Sequence, residues 1–263
     1  NRVSIGVQSF NDASLSAIGR RHSSQAAYKA LDALASSGMN YNADLIYGQP
    51  GQSMEMWERD LEQMLHFSPP HLSAYLLSYE PGTRLYAMLA NGRISEAPEE
   101  LAIGMYRLLC ELTVKNGYGH YEISNFAKVG KQAVHNSLYW NYTPYLGLGA
   151  SAHSFDGKIR RMNPCNMKVY MNTISAGATA CSQEDETDGN RYNDYIITSL
   201  RTSAGYSPQF ALERFGSGLT TQFNRNRIGL PSGMLELLPD GNMRIPEREW
   251  LKSDSILREL IVD

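Results

Sequence analysis

The hexapeptide His135-Asn136-Ser137-Leu138-Tyr139-Trp140 concentrates more chemistry than any other stretch of the chain. It sets an imidazole, able to ligate a metal or donate a proton, beside an amide and two large aromatic rings. On a helix, His135 and Tyr139 share one face at i,i+4, and so do Asn136 and Trp140. The run Tyr145-Leu146-Gly147-Leu148-Gly149-Ala150-Ser151-Ala152-His153-Ser154 follows, and its glycines let backbone approach a ligand closely. Two readings of the hexapeptide stand: a nitrogen ligand beside a flat aromatic wall, or a packed aromatic turn with a solvated histidine.

A second set of candidates lies on strands. The segments 3–10, 43–48 and 71–78 read as strands, and the segments 12–19, 24–35 and 54–67 between them read as helices, with Gly38 as a stop signal. Strands separated by helices imply βα units, a parallel sheet and right-handed crossovers, so a (β/α) barrel or part of one is the leading architecture. Alternation puts Gly6 and Gln8 on one face of the first strand, and Asp44, Ile46 and Gly48 on one face of the second. For the third, the small and polar set is Ala74, Leu76 and Ser78. In a barrel these would point inward near the C-terminal strand ends, where barrel active sites are built. Asp44 inside an apolar strand must find partners. It makes a structural hydrogen bond to a neighbouring strand or to Arg20, or it faces a ligand.

Composition narrows the function classes. The chain has 263 residues and a formal charge of -3, so it lacks the basic field that holds a phosphate backbone, and nucleic acid is not an expected partner. Cys110, Cys165 and Cys181 fit neither a disulfide framework nor CxxC or CxxxCxxC spacing and read as free thiols of a reducing, cytoplasmic compartment. No apolar run reaches the roughly 20 residues of a membrane helix. His22 beside Arg20 and Arg21, and the pair Tyr118 and His120, lack the ligand spacing of zinc. The chain opens directly on a strand pattern, so it is expected to begin inside a larger protein. Further on, an amphipathic helix is expected from Pro98 to Asn116, then helices over 185–202, 207–215 and 220–228 and a hairpin over 236–245 turned at Asp240-Gly241.

Gly6-Val7-Gln8-Ser9-Phe10, Asp44-Leu45-Ile46-Tyr47-Gly48-Gln49-Pro50-Gly51-Gln52, Tyr79-Glu80-Pro81-Gly82-Thr83, Tyr121-Glu122-Ile123-Ser124-Asn125-Phe126-Ala127 and the hexapeptide, an HNxxYW pattern, carry a family resemblance. The chain resembles the radical S-adenosylmethionine (SAM) heme chaperones, relatives of the oxygen-independent coproporphyrinogen III dehydrogenases. The resemblance is strong over residues 2–154 and looser beyond Gly177. Gln49 stands where leucine is common, and Ala150-Ser151 where Pro-Gly is usual.

The resemblance implies an α/β fold: the C-terminal half of a partial (β/α)6 radical SAM barrel over 1–180, followed over 181–263 by a small helical, winged-helix-like domain. It implies a [4Fe-4S] cluster whose cysteines are expected upstream of Asn1, so no metal site is expected in this chain. It assigns S-adenosylmethionine to Gln8, Arg20, Asp44, Ser78 and His153, and heme to His135, Tyr139 and Trp140. The partners it implies are heme and a heme-receiving client or respiratory enzyme, with peripheral membrane association only through such clients. An open first-strand edge adds a homodimer to the expectations. Three functions follow: a heme chaperone on a radical SAM scaffold, the dehydrogenase acting by radical oxidative decarboxylation, or an unrelated barrel hydrolase or aldolase. The HNxxYW pattern favours the first; catalytic residues, and whether the chain belongs to an enzyme at all, stay unassigned.

Overall fold

The computed structural model describes residues 1–179, 181–184 and 187–262, which fall into two compact units, Asn1–Gln132 and Ala133–Asp263. The boundary read from sequence, at 180/181, would cut the pairing of Arg161 with Gln183 that closes a small sheet. Residue 180, and the first two residues of the helix expected over 185–202, lie outside the described residues.

In the first unit, β1 (Arg2–Gln8), β2 (Asn40–Tyr47) and β3 (His71–Leu76) run parallel, joined by α1 (Asp12–Ala17) and α2 (Ser24–Ser37), then by α3 (Met54–Phe67). After α4 (Arg84–Ala90) and α5 (Glu99–Lys115), a hairpin of β4 (Gly119–Glu122) and β5 (Asn125–Ala127) adds antiparallel to β3. The order is β1-β2-β3-β5-β4, so the sheet is mixed and β1 is its end. The helices start where short polar side chains take up orphan amides: Asn11, Ser23, Ser53 and Thr83 each cap the residue three places on. Each such cap contributes about 1 kcal/mol. Gly38 ends α2 in the left-handed conformation, as its position predicts.

Strand β2 alternates strictly. Tyr41, Ala43, Leu45 and Tyr47 are buried on the helix side, against Trp57, Leu61 and Met64 of α3 and Met105 and Leu109 of α5, also buried. The Trp57 indole donates to the Met105 carbonyl at 2.9 Å, tying α3 to α5. Asn42, Asp44 and Ile46 occupy the other face and stay half-buried.

The third strand departs from its sequence reading. It ends at Leu76, and its register sets Asp44 beside Ser73 and Ile46 beside Tyr75. His71, Ser73 and Tyr75 therefore share the Asp44 face, while Leu72 and Ala74 pack toward the helices. Ser78, whose polarity suggested the opposite phase, lies past the strand end and is exposed.

In the second unit, α6 (Val134–Trp140) precedes an antiparallel sheet of β6 (His153–Phe155), β7 (Arg160–Met162) and β8 (Ser182–Gln183), with α7 (Met167–Ser175) between β7 and β8. Then come α8 (Asp188–Ser199), α9 (Pro208–Ile228), the hairpin β9 (Glu236–Leu237) and β10 (Met243–Arg244), a 3-10 turn and α10 (Ser253–Leu260). The two helices expected over 207–228 form one stretch kinked at Gly216, whose φ is 82°. The core is aromatic: Tyr192, Tyr206, Phe223 and Trp250 are fully buried, and the Tyr192 and Tyr206 hydroxyls lie 2.6 Å apart. Sequence reading missed α10, which buries Ile256, Leu257 and Leu260. No helix among the described residues is long and apolar enough to cross a membrane.

Candidate functional site

The polar face of the first sheet is built on Asp44. Its Oδ1 accepts from Asn42 Nδ2 at 2.6 Å and its Oδ2 from the Ser4 hydroxyl at 3.3 Å. The neighbouring-strand reading thus accounts for part of its bonding capacity and leaves lone pairs free. Gln8 joins this face by an unusual route. The register slips between Gly6 and Gln8, and Gln8 has a φ of 68°. The slip sets Gln8 beside Leu45, yet its side chain folds back over Gly6: a Cβ there would lie 2.5 Å from Gln8 Nε2. Any larger residue at position 6 would displace that amide from its place. Gln8 is 8% exposed, and its Oε1 is buried with no hydrogen-bond partner. A buried acceptor left open in this way is unfavourable unless something supplies a donor.

The turn after β2 holds these strand ends together. Gln49, buried, donates from Nε2 to the carbonyls of Ile46 at 2.7 Å and Gln8 at 3.2 Å. Asp60 of α3 accepts from the Ser9 hydroxyl at 2.7 Å and the Phe10 amide at 2.8 Å, fixing the chain just beyond Gln8. Burial raises the Asp60 carboxyl above the usual carboxylate range against those bonds. Arg20 and Ser78 are exposed, the first after α1 and the second after β3. Four of the five residues assigned to one ligand therefore belong to the first unit, and His153 belongs to the second.

In the second unit α6 gives the hexapeptide the helical geometry its spacing predicts. The Tyr139 hydroxyl and His135 Nε2 are 3.1 Å apart, and their rings meet edge-on with centroids 5.2 Å apart. Tyr139 then packs on Tyr145 at 4.6 Å. Tyr139, Tyr145, His153, Arg160 and Glu184 line a cavity of about 420 Å³. Arg160 is held by Asp194 at 2.6 Å, while His153 and Glu184 approach to 3.9 Å. Gly147 is required here: a Cβ would fall 2.0 Å from the His153 carbonyl oxygen.

Residues 1–64 match the family model for the radical SAM superfamily. "Heme chaperone HemW" of Bacillus subtilis (strain 168) is 33% identical over 225 residues, 85% of this chain and 59% of that protein. "Heme chaperone HemW" of Lactococcus lactis subsp. lactis (strain IL1403) is 39% identical over 206 residues, 78% of this chain and 54% of that one. The chain is thus similar to HemW heme chaperones, and its first 64 residues to the radical SAM superfamily. A zebrafish (Danio rerio) relative, "Radical S-adenosyl methionine domain-containing protein 1, mitochondrial", is 36% identical across 100% of this chain and 62% of its own length. The chain thus spans a little over half the length of these relatives. Coproporphyrinogen III oxidase (HemN) from Escherichia coli, described as a radical SAM enzyme, superposes with a TM-score of 0.77 at 18% identity, over 100% of this chain and 64% of that one. That likeness shows a shared fold.

The radical SAM match covers Gln8, Arg20 and Asp44 and stops short of Ser78, His153 and the hexapeptide. Several residues of these sites escaped sequence reading. Asn42 lies two places before Asp44 on one strand, so alternation alone could have marked it. His71 and Ser73 were hidden by the wrong phase of β3. Arg160 and Glu184 carry no local signal, because only the β6-β7-β8 sheet brings them to Tyr139 and His153.

Proposed function

We propose that this chain is part of a heme chaperone on a radical SAM scaffold, which binds heme and delivers it to client proteins. The observation that carries the reading is the HNxxYW helix, with His135 and Tyr139 joined at 3.1 Å and Tyr139 opening into a cavity. It is supported by the relatives named for that role. A porphyrin needs apolar contact and an axial donor, and an imidazole beside an aromatic ring offers both. Arg160, at the same cavity, suits the carboxylate groups of a porphyrin edge.

The residues of the first sheet fit S-adenosylmethionine. The open Oε1 of Gln8 and the remaining lone pairs of Asp44 accept from amino and hydroxyl groups, and the planar fork of Arg20 suits a carboxylate. Ser78 completes the assignment within the first unit, while His153 lines the cavity of the second. S-adenosylmethionine and a [4Fe-4S] cluster together supply radical chemistry; Cys110, Cys165 and Cys181 lack the spacing for the cluster, so no step is assigned through it here.

Heme titration tests the reading. A saturable Soret shift is expected, weakened when His135→Ala and Tyr139→Ala are combined. An unchanged titration of the double variant would leave the hexapeptide a packing motif and move heme elsewhere.

A further inference from the structure

The polar face holds a chain of hydrogen bonds with one direction. Asn42 Nδ2 donates to Asp44 Oδ1 at 2.6 Å and to Ser4 Oγ at 3.0 Å, while Ser4 spends its own proton on Asp44 Oδ2 at 3.3 Å. A carboxylate only accepts, so the Asn42 amide is oriented by both neighbours with its NH2 toward them. Turning it over would set Oδ1 against the Asp44 carboxylate. Asn42 Oδ1 therefore faces the other way, toward the Ser73 hydroxyl at 3.1 Å and His71 Nδ1 at 2.5 Å. A carbonyl oxygen accepts, so the His71 proton sits on Nδ1. His71 Nε2 is then the acceptor for the Tyr121 hydroxyl, 2.7 Å away, and the two rings meet edge-on.

We infer that Asn42 and His71 are positioning residues that fix the orientation of the Asp44 carboxylate, through a directional chain running from Tyr121 on β4 through β3 to β2. His71 and Ser73 are each 1% exposed, and Tyr121 is 6% exposed, so water does not compete for these bonds. Burial, with Arg2 as a second cause, lowers the His71 pKa to about 4, in keeping with a neutral ring of fixed tautomer. The outcome is a carboxylate whose free lone pairs point in one direction before any ligand arrives. A group held by its surroundings in this way loses less freedom on binding. The role in affinity rests on the assignment of Asp44 to S-adenosylmethionine made above; the orientation itself does not.

Long-range 1H–15N spectra of the full chain labelled on histidine read the tautomer directly. At neutral pH, His71 is expected to be neutral with its proton on Nδ1. Asn42→Ala, which removes the acceptor, is expected to shift it toward the Nε2–H form. Calorimetry with S-adenosylmethionine as the probe is expected to show about tenfold weaker binding, or more, for Asn42→Ala and His71→Phe, the loss typical of bonds to a charged group. An Nε2–H tautomer or an imidazolium in the parent chain overturns the inference, as does unchanged affinity in both variants. If the parent does not bind S-adenosylmethionine while its tautomer still responds to Asn42→Ala, the ligand assignment fails and the positioning stands.

Discussion

Gln49 shows how a single side chain can substitute for packing. Its buried amide bonds the carbonyls ending β1 and β2, yet leaves its own Oε1 without a partner. Gln49→Leu removes two donors and the orphaned acceptor together. The two effects oppose each other, so a net change within about 1 kcal/mol is expected. Gln49→Ala adds a cavity and should cost about 2 to 3 kcal/mol; urea denaturation of both variants checks the difference. His71 supplies a pH signature. Its folded pKa of about 4 lies below the ordinary value of 6.5, so the unfolded chain binds the extra proton between those limits. Stability of the first unit is therefore complete above about pH 6.5 and falls toward pH 4, by about 3 kcal/mol in all. Urea midpoints measured across that range should slope upward with pH, and His71→Phe should flatten the slope.

Elements carry two further expectations. At Gly216 of α9 the backbone takes φ 82° and ψ 174°, a region open essentially to glycine alone. A Cβ there would meet nothing within 4 Å, so the penalty of Gly216→Ala is purely one of backbone. A loss of about 1 to 3 kcal/mol is expected in thermal unfolding. At the other end of the chain, β1 pairs only with β2 among the described residues. Such an edge tends to recruit another strand. Concentration-dependent association in sedimentation velocity, reduced by Val3→Lys, is the expected result; a monomer at all concentrations would remove the homodimer from the expectations. The elements were readable because their signals are local: the stop at Gly38, alternation in β2, and the Asp240-Gly241 turn. The phase of β3 was not, because a strand fixes which residues share a face but not which face is polar. The neighbour's register decides that, and Ser78 beyond the strand end misled the reading.

At the scale of the molecule, the two units differ in how much their sequences disclosed. The first unit's polar face follows from strands 2–8 and 40–47, which lie within the matched family region. The bulge that turns Gln8 back over Gly6 was not predictable, since alternation describes a regular strand. In the second unit the His135 and Tyr139 pairing was legible from i,i+4 spacing, whereas the cavity that Tyr139 lines depends on a sheet whose strands span residues 153–183. The placement of the tryptophans has its own consequence. Trp57 is buried in the first unit, Trp250 in the second, and Trp140 lies on α6 itself. Fluorescence therefore offers three separable reporters. Retaining one indole at a time distinguishes melting of either core from events at the hexapeptide, where a bound porphyrin would extinguish the Trp140 emission by energy transfer.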